Sequence, residues 1–267
     1  KAELAEDVVV GPFCIVDGKV KIGAGTVLMS HITVRGRTVI GSGNRIFQGA
    51  AVGCEPQDKK YAGEDTELVI GDNNVIRENC TLSIGTVQDR GITRIGSGNL
   101  LMANVHIAHD CMLSDRVTIS NHTALSGHCQ VGPGAVISGY VLAHQFTRIG
   151  ALAMIGPTCL IGQDIPPFCM LREFNFITGP NTIGLRRAGF SNETRLGIRH
   201  AIKTFFFEGL NAKNAIASIE ADPKVKDIPE VKMFCEFVKE SKRGIMPGNP
   251  KFVGLPDDQR DELDTRA

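Results

Sequence analysis

Tryptophan is absent from the 267 residues, tyrosine occurs twice, and aromatic side chains make up only 6% of the chain. A core built from this composition must be aliphatic. Net charge is also missing, with 29 basic side chains against 29 acidic ones. That balance excludes a whole-surface electrostatic grip on nucleic acid or on an anionic membrane, although a local basic patch remains open. No run approaches the roughly 20 apolar residues of a membrane-spanning helix, so no transmembrane segment is expected and the chain reads as soluble. The eight cysteines contain no CxxC pair, and a disulfide framework belongs to much shorter secreted chains. They are expected as reduced, mostly buried thiols, with Cys111 and Cys129 stacked rather than bridged. An initiating methionine is lacking too: Lys1 reads as the start of a truncated or processed chain, in which a targeting peptide would not be seen.

Glycine, by contrast, is abundant, 30 residues or about 11% against a usual ~7%. Its distribution follows a repeat. From Leu4 an aliphatic residue falls at every sixth position, through Val10, Val16, Ile22, Leu28, Val34, Ile40 and Ile46 to Val52. The register resumes at Ile70, Ile76 and Leu82, and again from Ile95 to Ile161, with Ala143 its one weak member. A period of six fits neither a helix nor a long alternating strand. It fits a prism in which each hexad gives one short strand and one turn, and three hexads close a coil of about 18 residues whose neighbours stack at the ~4.8 Å strand spacing. Gly frequently follows the anchor, as at Gly23, Gly41 and Gly132, where it eases the corner.

Two segments, 53–69 and 83–94, break the repeat and are expected as loops expelled from the prism, a usual place for binding residues. The repeats are expected to end at Pro166 and Pro167, so the solenoid takes up 1–167 and an irregular connector 168–183. From about Gly184 the spacing predicts helices, the first with Ser191 as N-cap and with Leu196, Ile198, Ile202, Phe205 and Phe206 on one face. Further helices are expected around 212–221 and 230–242, and a loosely packed tail over 246–267. The helical part thus spans 184–267.

Five histidines, His106, His109, His122, His128 and His144, crowd into the later repeats. Three readings compete for them. Imidazoles converging on one face could bind zinc, as in hexapeptide-repeat carbonic anhydrases. One of them could act as a general base, since an imidazole titrates in the right range, with Asp110 or Asp58 orienting it. Or they could simply be satisfied side chains on a solvated face.

The runs QDKKYAGE (57–64), NLLMANVHIAHDC (99–111), NHTALSGH (121–128), AHQF (143–146) and GPNTIGLRRAGF (179–190) resemble the acyl-carrier-protein:UDP-N-acetylglucosamine O-acyltransferases of lipid A synthesis. The resemblance covers nearly the whole chain. It implies a mainly β fold, a left-handed parallel β-helix of hexapeptide repeats followed by an α-helical C-terminal domain, assembled as a homotrimer. It implies transfer of a (3R)-3-hydroxyacyl group from acyl carrier protein to the 3-hydroxyl of UDP-N-acetylglucosamine. In that reaction His109 would be the base, Asp58 and Asp110 would assist it, and the Gly127 N–H would stabilise the oxyanion. Gln57, Lys60, His106, His128, His144, Gln145, Asn181 and Arg187 would bind substrate. No metal and no cofactor is implied beyond the donor's own pantetheine arm.

Carrier protein is acidic in this family, and Arg186, Arg187, Arg195, Arg199 and Lys203 outnumber Glu193 and Glu208 between 184 and 210. Arg186, Arg195, Arg199 and Lys203 are therefore expected to dock it. The chain departs from the family pattern over 168–178, at Ile183 and Ala188, and at Pro157. Where some members have glycine, Pro157 is expected to shorten the acyl groove. Two alternatives stay open: the sister UDP-3-O-acylglucosamine N-acyltransferase, and the zinc carbonic anhydrase. The expected compartment is the bacterial cytoplasm, or a mitochondrion for a plant organellar form, which the missing methionine and the tail would suit.

Overall fold

The sixfold anchors set the architecture of the computed structural model, which describes residues 1–172 and 175–254. Among these residues three sheets of 8, 10 and 8 strands form, nearly all pairs parallel. The chain visits the first, second and third sheets in turn, as in Lys21–Ile22, Val27–Leu28 and Thr33–Val34. Each strand therefore pairs with the one a coil away, Leu4 with Ile22 and Ile95 with Leu113. Anchors point inward: Leu28, Val34, Ile46, Val52, Leu101 and Ile137 are fully buried, and Ala143 is buried with them. Leu4 and Val10, in the first described coil, are 41% and 42% exposed.

Polar side chains hold the corner between the first and second sheets, where backbone pairing breaks off. Thr26, Asn44, Asn74 and Asn99 stack there, all essentially buried. Asn44 Oδ1 accepts from Asn74 N at 2.9 Å, Asn74 Oδ1 from Asn99 N at 2.9 Å, and Asn99 Oδ1 from Val117 N at 2.6 Å. Each amide thus replaces one missing ladder bond. All eight cysteines are free and six are buried. Burial pushes the Cys80 and Cys235 thiols up to about 11, as expected of inert core fillers.

The excursions are shorter than the sequence suggests. Glu67–Ile70 and Ile92–Ile95 are strands of the first sheet, leaving 55–66 and 84–91 outside the prism. Ile70 pairs with Ile40 before it and with Ile95 after it. The chain between each pair is longer than one regular coil, so each excursion is an insertion into a coil that still closes. Register in the first sheet is unchanged across both, while Ala51–Cys54 and Thr81–Ser83 of the third sheet carry a bulge where the excursions leave. Each leaves from the corner between the third and first sheets.

The segment 168–183 is not irregular. Cys169–Arg172 pairs in parallel with Met154–Ile155, and then antiparallel with Phe176–Pro180. The step along the chain from Met154 to its partner Met170 is shorter than the full coil from Val136 to Met154. This follows from Pro166 and Pro167, which cannot continue the hexad. The hairpin closes the edge of the second sheet.

Among the described residues four α-helices follow: α1 (Thr182–Arg187), α2 (Asn192–Phe207), α3 (Ala212–Ala221) and α4 (Pro229–Lys239). Ser191 caps α2 by accepting from Thr194 N. The apolar face expected for α2 is corrected at Leu196, which is 56% exposed. Residues i and i+2 on a helix lie about 200° apart, so Leu196 faces away from buried Ile198. Arg148 ties α4 to the prism: its guanidinium pairs with buried Asp164 at 3.0 Å, donates to Phe237 O at 2.7 Å and covers the Phe237 ring. The tail expectation is corrected where it is described, because Met246 and Phe252 are buried. Residues 255–267 lie outside the described part.

The asparagine stack gives the first prediction. Asn74→Ala should lower unfolding free energy by about 1–3 kcal/mol, the cost of leaving the buried Asn99 N–H unpaired. Urea denaturation would show this as a lower midpoint with an unchanged slope.

Candidate active site

The third-to-first corner gathers the chemistry. Its turns carry His109 and Asp110, then Gly127 and His128, then His144, Gln145 and Phe146, in three successive coils. Asp110, His128 and Phe146 take left-handed backbone conformations, with φ of 59°, 65° and 64°. Asp and His accept that region more readily than most residues. Both excursions emerge at the same corner in earlier coils, and so bring Asp58, Thr86 and Asp89 over it.

His109 is 5% exposed and Asp110 3%. His109 Nδ1 lies 2.8 Å from Asp110 Oδ2. Asp110 is itself fixed from both sides: Thr86 N donates to Oδ1 at 2.9 Å, the Thr86 hydroxyl donates to Oδ2 at 2.6 Å, and Asp110 N donates to Thr93 Oγ1 at 2.8 Å. With Nδ1 donating to the carboxylate, the lone pair of a neutral ring is on Nε2. Asp58 Oδ2 stands 3.9 Å from that nitrogen. It is held by its own loop, where Lys60 N donates to Oδ1 at 3.0 Å. Asp110 is therefore the carboxylate bonded to Nδ1, and Asp58 faces Nε2.

Gly127 packs against the ring. A Cβ there would come within 2.5 Å of His109 Cε1 and 2.7 Å of Nε2, so no side chain fits without displacing the imidazole. His128 stands edge-on to His109, with centroids 5.1 Å apart, and lies flat on Phe146 at 4.2 Å. Its Nδ1 is 3.1 Å from Asp89 Oδ2. Sequence reasoning misses Thr86 and Asp89. Their only signal is membership of an excursion, since nothing periodic marks which loop residues turn inward.

His106 lies beside this corner on the outer face of the third sheet, its Nδ1 2.7 Å from Thr81 Oγ1. Burial holds its pKa below the ordinary histidine value, and charge on His109 acts in the same direction. His144 and Gln145 are exposed one coil beyond His128, and Gln57 and Lys60 are exposed on the first excursion. His122 is not in the group: it stacks on Tyr140 at the corner between the second and third sheets. Pro157 is exposed at that same distant corner. Asn181 is committed to structure, because Oδ1 accepts from Gly184 N to cap α1 while Nδ2 donates to Leu152 O. Arg186 and Arg187 are exposed in the last turn of α1, and Arg195, Arg199 and Lys203 lie half-buried along α2.

Ligand atoms of His109, Asp110 and His128 all lie within 4.8 Å of one another, close enough to consider a metal. Thr86, His109 and Asp110 already form a hydrogen-bonded chain, however, and a metal there would have to displace the Asp110–His109 bond. The arrangement can orient a base, offer beside it a Gly127 N–H with no acceptor among the described residues, and receive an acceptor hydroxyl between Nε2 and Asp58.

A family model described as Udp N-acetylglucosamine O-acyltransferase, domain 2, matches residues 164–246. An acyl-(acyl-carrier-protein)–UDP-N-acetylglucosamine O-acyltransferase of Thiobacillus denitrificans is 45% identical over 246 residues, covering 92% of this chain and 95% of that protein. The structure of LpxA from Acinetobacter baumannii is similar with a TM-score of 0.89 at 44% identity, over 92% of this chain and 95% of that one. The Arabidopsis UDP-N-acetylglucosamine acyltransferase is similar with a TM-score of 0.77 at 31% identity, over 92% and 98%. The fold is accordingly a left-handed parallel β-helix with a helical C-terminal part.

The electrostatics of the corner can be read directly. In a proton-detected titration His106 should have a midpoint below that of an ordinary histidine. In His109→Ala the midpoint should move up, because the neighbouring charge that disfavours the protonated ring is gone.

Proposed function

Because the chain belongs to the acyl-carrier-protein:UDP-N-acetylglucosamine O-acyltransferase family, and is thus an acyltransferase of the first step of lipid A biosynthesis, we propose that His109 is the base with which it works. The observation that carries this is the chain Thr86–Asp110–His109, with bonds of 2.6 and 2.8 Å that leave Nε2 as the acceptor. The acceptor 3-hydroxyl of UDP-N-acetylglucosamine gives its proton to Nε2 as its oxygen attacks the thioester carbon of a (3R)-3-hydroxyacyl carrier protein. Asp110 stabilises the imidazolium that forms, and Asp58 orients the hydroxyl. The Gly127 N–H donates to the developing oxyanion, a role suited to a backbone group whose missing side chain lets the substrate approach. Collapse of the tetrahedral intermediate breaks the C–S bond, and the proton on His109 passes to the departing thiolate.

Gln57, Lys60, His106, His128, His144 and Gln145 surround the acceptor, and Arg187 reaches its phosphates. Asn181 acts through the α1 cap that places Arg187. A thioester is reactive enough for one base and one donor, so no metal is used. Soluble carrier protein and substrate suit a chain in which, among the described residues, no helix is long and apolar enough to cross a membrane. Exposed Tyr140, Leu142 and Leu160 beside the third sheet support a second copy covering that face, as a homotrimer requires. Pro157, on the same side, would limit the length of acyl chain accommodated between copies.

Two measurements test this reading. Transfer from hydroxyacyl carrier proteins of several lengths to UDP-N-acetylglucosamine, with product mass recorded, should favour shorter donors and survive chelation of divalent metal. His109→Ala should lower kcat by about 10²–10⁴-fold while its circular dichroism is unchanged; a folded, active variant would overturn the assignment. Separately, Arg195→Glu with Arg199→Glu should raise KM for the carrier protein by about 3- to 10-fold and leave KM for the sugar nucleotide alone.

A further inference from the structure

His128 is held on three sides, and only one of them tells its two ring nitrogens apart. Its backbone is fixed in the left-handed corner, with His128 N donating to His109 O at 3.0 Å. Its ring plane is fixed by Phe146, stacked at 4.2 Å and 6°, and by the edge contact to His109. Neither contact distinguishes a ring from the same ring rotated by half a turn, because the stacked face is nearly the same shape after the flip. A hydrogen bond to one nitrogen is what separates the two orientations.

Two carboxylates face Nδ1. Asp110 Oδ2 stands 3.9 Å away, too far for a hydrogen bond, and already accepts from the Thr86 hydroxyl and from His109. Asp89 Oδ2 stands at 3.1 Å. Among the described residues Nε2 then has no hydrogen-bond partner. Arg90, 3.8 Å from Asp89, makes a loose and exposed pair that leaves the second oxygen free for His128.

Asp89 is itself placed by a tight turn. Asp89 N and Gly91 N both donate to Thr86 O, at 3.4 and 3.1 Å, and Gly91 closes the turn with a φ of 71°. The same Thr86 bonds Asp110 through its N–H and its hydroxyl. One short turn therefore reaches both histidines, His109 through Thr86 and Asp110, and His128 through Asp89.

We propose that Asp89 is a positioning residue for the acyl acceptor: by accepting from His128 Nδ1 it selects the ring orientation that presents Nε2 to the phosphorylated sugar bound beside His109. The proposal deepens the reading given above and rests on it for the identity of the acceptor. Because Asp89 touches no reacting atom, its effect falls on acceptor binding rather than on the chemical step. The side chain lies on an exposed excursion at 37% exposure, so its replacement leaves the core intact.

The test uses the full chain with Asp89→Ala, Asp89→Asn, His128→Ala and the Asp89→Ala/His128→Ala double variant. Asp89→Ala should raise KM for UDP-N-acetylglucosamine by about tenfold, the effect of losing a hydrogen bond to a charged group. kcat and KM for the acyl donor should stay within about twofold. Asp89→Asn should recover part of the loss, since its carbonyl oxygen still accepts. The double variant should be no worse than His128→Ala alone. Nitrogen-15 spectra of the His128 ring, taken without substrate, should show Nδ1–H in the parent and a mixture of tautomers in Asp89→Ala. Additive losses in the double variant, or an unchanged ring tautomer, would overturn the proposal. If the parent transfers no acyl group to this acceptor, the functional reading fails, while the ring spectra still decide the role of Asp89.

Discussion

A spacing of about 4.8 Å between residues one coil apart is the constraint from which the rest of the molecule follows. Anchors such as Ile95 and Leu113 can only fill the prism because they land on one another, coil after coil. The same stacking acts on the corners. Whatever side chain occupies a corner is brought against its counterpart a coil away, so His109 is set beside Gly127 and edge-on to His128 without any dedicated loop. Inside the prism this produces the buried asparagine column. Outside it produces the corner that carries His109, Asp110 and His128.

The two excursions add residues without moving the register of the first sheet, as the pairing of Ile40 with Ile70 and of Ile70 with Ile95 demonstrates. A solenoid can expel a loop at a small entropic cost because the strands on either side still find their partners. Here both loops leave at the corner that carries the histidines. The first contributes Asp58 and the second contributes Thr86, whose two hydrogen bonds hold Asp110 and so the tautomer of His109. Burial sharpens this chain, since a nearly inaccessible carboxylate must find its partners within the protein.

What is legible in the sequence is whatever repeats or matches a specific motif. Aliphatic anchors announce the coils, and Ser191 announces the start of α2. HIAHDC singles out the histidine and carboxylate that meet at 2.8 Å. Residues set by local backbone detail are not legible. Thr86 and Asp89 turn inward because of a tight turn that no period announces. The hairpin of Cys169–Arg172 and Phe176–Pro180 is hidden because its pairing is out of step with the hexads, and half of it runs antiparallel. Leu196 looks like a core residue by its type, where its angular position decides. The motif around Asn181 does not reveal that its amide caps α1 and donates to Leu152 O.

Asp110 and His128 sit at left-handed corners, as do Phe146 and Leu152, in a region where asparagine, aspartate and histidine are enriched over other side chains. Two of the types that ease the bend, aspartate and histidine, also carry protons. At this corner, stacking therefore sets titratable groups, His109, Asp110 and His128, one above another in neighbouring turns. New activities could arise on such a scaffold by lengthening a neighbouring turn until it reaches an edge already furnished with acids and imidazoles. The inward-facing anchors would need no change at all, which separates the history of the fold from the history of its chemistry.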